Sequence, residues 1–123
     1  MHSTVQPTIV TAHLERMLEF YSGLLGANET QRVPEEGPVF YIGLRIGNSD
    51  IGMVSDTSAG EAQAGRILLS ITVPDVDRLL PRVHGLGGEV AGGPTDMPWG
   101  ERVAHIKDPD GNALNLTTEI PRR

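Results

Sequence analysis

His105, Asn115, Gln6, Tyr41 and Arg45 are the side chains whose types and spacing could do chemistry together. His105 and Asn115 flank Asp108-Pro109-Asp110-Gly111-Asn112, a loop in which proline sets one backbone angle and glycine or asparagine accepts positive φ. The segments on either side are therefore read as antiparallel neighbours. Pairing Ile106 with Leu114 pairs Ala104 with Leu116, which puts His105 and Asn115 together on the opposite face. The same period of two sets Tyr41 and Arg45 against Phe40, Ile42, Leu44 and Ile46, and sets Leu68, Ser70 and Thr72 against Leu69, Ile71 and Val73. Gln6 and Thr8 join the polar set. Amides, hydroxyls, one imidazole and one phenol among a few apolar groups make a binding surface, in which polar groups fix orientation and apolar ones supply contact.

Each of these residues also has a plainer role. His105 can be hydrogen-bonded scaffolding, a ligand contact or an acid/base. Trp99, in Met97-Pro98-Trp99-Gly100, is a rigid aromatic on a turn that could cover local core, meet a second copy or stack on a ligand. Arg45 and Arg102 could hold an anionic group, although solvated strand ends also suit them. Asp108 and Asp110 are spaced like metal ligands, but Pro109 and Gly111 mark them as turn residues. Gly85 to Gly88 follows a helical pattern and not a strand, so it does not read as a phosphate loop. Cysteine is absent, which excludes disulfides, thiolate catalysis and cysteine zinc sites.

The elements that position these residues occur twice. His13-Leu14-Glu15-Arg16-Met17-Leu18 is answered 62 residues later by Asp75-Val76-Asp77-Arg78-Leu79-Leu80, and Gly23-Leu24-Leu25-Gly26 by Gly85-Leu86-Gly87-Gly88. In the first copy Val5–Thr11 reads as a strand, His13–Leu25 as a helix closed by Gly26, and Val39–Ile46 and Ile51–Val54 as strands. In the second, Ile67–Val73 reopens the pattern, Asp75 caps a helix to about His84, and Val103–Lys107 and Ala113–Thr118 form the hairpin. Pro81 lies beyond the first helical turn and is expected to bend that helix. Ser55 to Gly65, small and polar, reads as the linker. The expectation is one α+β domain over residues 1–123, with modules of about 1–60 and 64–123 and any pocket where the copies meet.

Sixteen acidic against ten basic residues give a net charge of −6, which argues against nucleic acid. Arg122-Arg123 is the only local basic cluster. Neither a signal core in Met1–Pro7 nor a membrane-length apolar run is present, so a cytoplasmic protein without membrane contact is expected.

The repeated strand-helix-strands order, Phe20-Tyr21-x-x-Leu24-Leu25-Gly26 and Asp108-Pro109-Asp110-Gly111-Asn112 together resemble the vicinal oxygen chelate superfamily, which includes glyoxalases, extradiol dioxygenases and bleomycin-resistance proteins. The resemblance spans essentially the whole chain. It implies paired βαβββ modules, a cupped mixed sheet with helices on its convex face, and a ligand or metal on the concave one. It also implies up to four metal ligands, one from the first and last strand of each module. Carried over by fixed offsets from Phe20, Gly88 and Asp108, and for Gly52 by where the strand after Asp50 begins, those positions hold Gln6, Gly52, Leu68 and Asn115. Glycine and leucine carry no donor, and amides are poor ligands for a divalent ion.

The sequence thus points to a small-molecule binding protein of the bleomycin-resistance type, which sequesters an antibiotic or natural product with no metal, no cofactor and no catalytic residue. Gln6, Tyr41, Arg45, Trp99, Arg102, His105 and Asn115 are the expected ligand contacts. Open strand edges and exposed Val54 and Trp99 suggest a homodimer, with module swapping as an option. The alternative is a lyase, isomerase or oxygenase of the same fold, with a non-standard metal site or with His105 as acid or base.

Overall fold

The computed structural model describes residues 5–59 and 67–121. Two compact units divide the chain between Gly60 and Glu61. Most of the expected linker, Arg122-Arg123 and Met1 to Thr4 lie outside the described residues.

In the first unit, Thr8–Thr11 forms β1 and leads directly into Leu14–Leu25, α1. The Thr11 hydroxyl, fully buried, accepts a hydrogen bond from the His13 N–H at 2.9 Å and fixes that entry, while the His13 side chain makes no cap. Leu14, Met17, Phe20, Tyr21 and Leu24 recur at helical spacing and are buried, with Phe20 edge-on to Tyr21 at 5.2 Å. Gly26 ends the helix at φ 66°, the left-handed conformation glycine adopts without strain. Asn28–Val33 (β2), Tyr41–Ile46 (β3) and Ser49–Ser55 (β4) complete a sheet of order β1-β4-β3-β2, in which β1 runs parallel to β4 and the other pairs are antiparallel. Ile42, Leu44, Ile51 and Met53 are buried on the helix side. Burial of each such side chain contributes about 1.5–3 kcal/mol.

The second unit repeats this order. Leu69–Thr72 (β5) leads to Val76–Val83 (α2), followed by a 3₁₀ turn over His84–Leu86, then Glu89–Asp96 (β6), Glu101–Lys107 (β7) and Ala113–Glu119 (β8). The sheet order is β5-β8-β7-β6, again with one parallel pair, β5 with β8. Asp75 caps α2 by accepting from the Asp77 N–H at 3.1 Å. Pro81 lies inside α2, which ends two residues later, and Gly87 closes the 3₁₀ turn at φ 94°. Val73, Val76, Val83, Ala104, Ile106, Leu114 and Leu116 form the core of this unit. Asp108 is buried in its turn and accepts from the Asp110 and Asn112 N–H groups at 3.0 and 2.9 Å. It is a turn residue, as its neighbours indicated.

This is the expected α+β arrangement of two βαβββ modules. One expectation on burial is corrected. Phe40 does not share the buried face of Ile42 and Leu44: it precedes β3, where its backbone bonds to Val33 and Ser55, and its side chain is 55% exposed.

Candidate functional site

The face of each sheet turned away from its helix is ordered in rows by the strand register. In the first unit, Val10, Val54, Tyr41 and Val33 form one row, Thr8, Gly52, Gly43 and Gln31 the next, and Asp50, Arg45 and Asn28 a third. In the second unit the rows are Thr72, Thr117, Val103, Thr95; then Ser70, Asn115, His105, Gly92; then Ala113, Lys107, Glu89. Corresponding strands match row for row, so Gly52 and Gly43 in the first unit stand where the second has Asn115 and His105. The duplication thus reaches the level of single side chains.

His105 and Asn115 are direct register partners, and His105 Nδ1 lies 2.6 Å from Asn115 Oδ1. An amide oxygen carries no hydrogen, so Nδ1 donates. In the neutral ring Nε2 is left as an acceptor, and the Asn115 amide nitrogen keeps both its hydrogens. Thr117 and Thr72 add hydroxyls to the neighbouring row, 3.4 Å apart.

In the first unit the glycine pair forms a seat. A Cβ on Gly52 would stand 2.9 Å from Gln6 Nε2, 3.1 Å from Tyr41 Cε1 and 3.2 Å from Thr8 Oγ1. One on Gly43 would meet Thr30 Oγ1 at 2.9 Å. The Tyr41 ring therefore lies over these glycines, and its hydroxyl oxygen accepts from Gln6 Nε2 at 3.0 Å. The phenol proton remains available to donate outward. Sequence reasoning placed Gln6 and Tyr41 on this face but missed the seat; its signal was two glycines inside strands.

The remaining expected contacts are held elsewhere. Arg45 shares the face of Tyr41, but pairs with its register partner Asp50 at 3.0 Å where the β3–β4 hairpin turns. Arg102 alternates with Val103 onto the helix side. Its guanidinium donates to Asp77 of α2 at 2.9 and 3.2 Å and to Asp96 at 2.8 Å. Asp77 first and Asp96 second hold that guanidinium above its ordinary pKa. Arg102 thus ties the β6–β7 hairpin to its helix. Trp99 sits at the hairpin tip, 61% exposed, and its indole N–H donates to Glu101 Oε1 at 2.8 Å. Glu101 has the strand parity of His105.

The four positions implied for a metal do not fit one. Gln6 donates to Tyr41, Gly52 has no side chain and is covered by those of Gln6, Tyr41 and Thr8, Leu68 is apolar and half exposed, and the Asn115 oxygen is engaged by His105. Among the described residues no three His, Cys, Asp or Glu side chains gather as a ligand set.

A helix over a mixed four-stranded sheet, repeated strand for strand with the opposite face bearing the polar side chains, defines the βαβββ class of proteins. This chain belongs to the glyoxalase/bleomycin resistance protein/dioxygenase superfamily, whose family model matches residues 3–116. It is 36% identical over 67 residues to the uncharacterized protein YraH of Bacillus subtilis (strain 168), a match that takes in 54% of this chain and about half, 52%, of that protein. Among solved structures it is similar to TioX from Micromonospora sp. ML1, with TM-score 0.74, 19% identity, and 98% and 99% of the two chains covered. It is also similar to a variant of the fosfomycin resistance protein FosX from Listeria monocytogenes, solved with Mn(II) and 1S,2S-dihydroxypropylphosphonic acid (TM-score 0.79, 14% identity, 97% and 93% covered). These two likenesses are of fold.

Proposed function

We propose that this protein binds a small molecule, an antibiotic or other natural product, by sequestration and without a metal. The observation that carries the reading is what stands at the positions the resemblance implies for metal ligands: Gly52 is the seat of Tyr41, and Asn115 is the hydrogen-bond partner of His105. Such groups orient an organic molecule through hydrogen bonds and aromatic contact. The FosX complex holds Mn(II); imidazole and carboxylate suit such an ion, and glycine and leucine supply neither.

In this reading Tyr41, Gln6, His105 and Asn115 touch the ligand, Trp99 supplies an exposed aromatic face, and Arg102 braces the hairpin that carries Trp99. Arg45 is a peripheral contact, since its charge is already met by Asp50. Among the described residues no helix is long and apolar enough to cross a membrane. A cytoplasmic homodimer is part of the proposal, supported by the exposure of Phe40 and Val10, and sedimentation showing only a monomer at micromolar concentration would remove that part. The experiment for the main reading is a calorimetric titration of chelator-treated protein with Ni, Zn, Mn and Fe(II) ions. Negligible uptake is expected, and tight stoichiometric uptake of any of them would overturn it.

One observation favours a second reading. With Nδ1 fixed by Asn115, His105 Nε2 is positioned as a proton acceptor, the arrangement a general base requires. In that case His105→Ala would cost turnover and leave substrate binding intact.

A further inference from the structure

We infer that the second unit recognises a neutral carboxamide-type group, a carbonyl acceptor beside an N–H donor, and discriminates against anions. The inference rests on the reading of the chain as a small-molecule binder. It starts from the directions of the hydrogens. The His105–Asn115 bond of 2.6 Å uses the Nδ1 proton and the amide oxygen, and leaves Nε2 of the neutral ring as an acceptor and the Asn115 N–H groups as donors. Among the described residues neither side chain makes another hydrogen bond. A ligand carboxamide carries the complement of both: an oxygen to accept from Asn115 and an N–H to donate to His105. A carboxylate or phosphonate satisfies only the first and sets its charge against the Nε2 lone pair.

The row of the pair and the row beside it offer an anion no charge. Ser70 and Gly92 flank the pair in its row, and Thr72, Thr117, Val103 and Thr95 fill the next, all uncharged. Lys107, two residues along the same face, is register-paired with Glu89. Arg102, the guanidinium closest in sequence, is on the other face of the sheet and held by two carboxylates. Of these two cations, Arg102 is paired with acids of its own chain, and Lys107 stands beside Glu89 in the register.

Nicotinamide and nicotinate, alike in ring and size, differ in the group at issue and are the probes. The ¹⁵N-labelled protein at pH 8 is titrated with each up to tens of millimolar and followed by two-dimensional NMR. Nicotinamide is expected to shift the signals of Ser70, His105 and Asn115 with an apparent Kd at least ~10-fold below that of nicotinate. Asn115→Ala, which removes the donor without adding a charge, is expected to abolish that preference while its spectrum shows an intact fold. Equal or tighter binding of nicotinate at this row, or no response of the row to nicotinamide, overturns the inference. Metal-dependent binding or conversion of a natural product would instead overturn the proposed function and leave this preference standing.

Discussion

Tyr41 lies across Gly52 so closely that a single added methyl group on the glycine would stand 3.1 Å from its ring. Tyr41 could not take this position over any other residue without yielding ground. The prediction is that Gly52→Ala breaks the Gln6–Tyr41 hydrogen bond at modest cost, below ~1 kcal/mol, because the atoms in the way belong to side chains that can swing. Urea denaturation gives the stability and the Tyr41 NMR signals give the displacement.

Gly93→Ala should behave quite differently. Its φ is 88°, and a Cβ there would stand 2.7 Å from the carbonyl oxygen of Val103, a backbone atom that cannot swing. A cost of about 2 kcal/mol or more is expected, since left-handed strain alone is worth ~1–3 kcal/mol. The two glycine variants compared by denaturation separate a rigid clash from a yielding one.

His105→Ala is expected to leave stability within ~0.5 kcal/mol of the parent, as for an exposed side chain away from the core. Ligand affinity should fall about tenfold, the worth of a hydrogen bond of ~1.4 kcal/mol. If the ligand is converted and the variant loses turnover by ~100-fold with binding intact, the acid/base reading holds instead. Trp99→Ala, which removes an exposed ring worth ~0.5–1.5 kcal/mol of stacking beyond burial, should weaken binding several-fold and spare the fold.

Acid is expected to weaken the first unit through Glu29 as pH falls below the range in which ordinary carboxylates titrate. The Arg32 guanidinium, bonded to both Glu29 oxygens, holds that carboxyl below its usual range. Its stabilising effect is therefore fully present above the ordinary value and is lost as pH falls from ~4 through the lowered one. Glu29→Gln should flatten this part of the stability curve measured against pH, and should itself cost little at neutrality because the pair is partly exposed.

Much of this was readable from the residues. The register of the last hairpin, His105 on Asn115, followed from one turn motif and a period of two, and it is the register observed. The helix ends at Gly26 and Asp75 were likewise written in the chain. What escaped were β2 and β6. Asn-Glu-Thr-Gln-Arg-Val is an edge strand with little to bury, and Glu89–Asp96 is interrupted by Gly92, Gly93 and Pro94, so neither shows an apolar alternation. The roles of Arg102 and Gly52 escaped for a related reason. Both depend on which distant atoms face them, Asp77 on a helix in one case and Tyr41 on the next strand in the other, and spacing along the chain does not record that.

The central claim, metal-free retention of an unaltered small molecule, is tested most directly by thermal unfolding of chelator-stripped protein against a natural-product panel, with recovery of any stabilising compound. A compound present at ~100 times its Kd should add about 2.7 kcal/mol of stability. That stabilisation should be the same with chelator or with added divalent ions, and the compound should be recovered unchanged. Stabilisation that appears only with a divalent ion, or recovery of a chemically altered compound, would contradict the account.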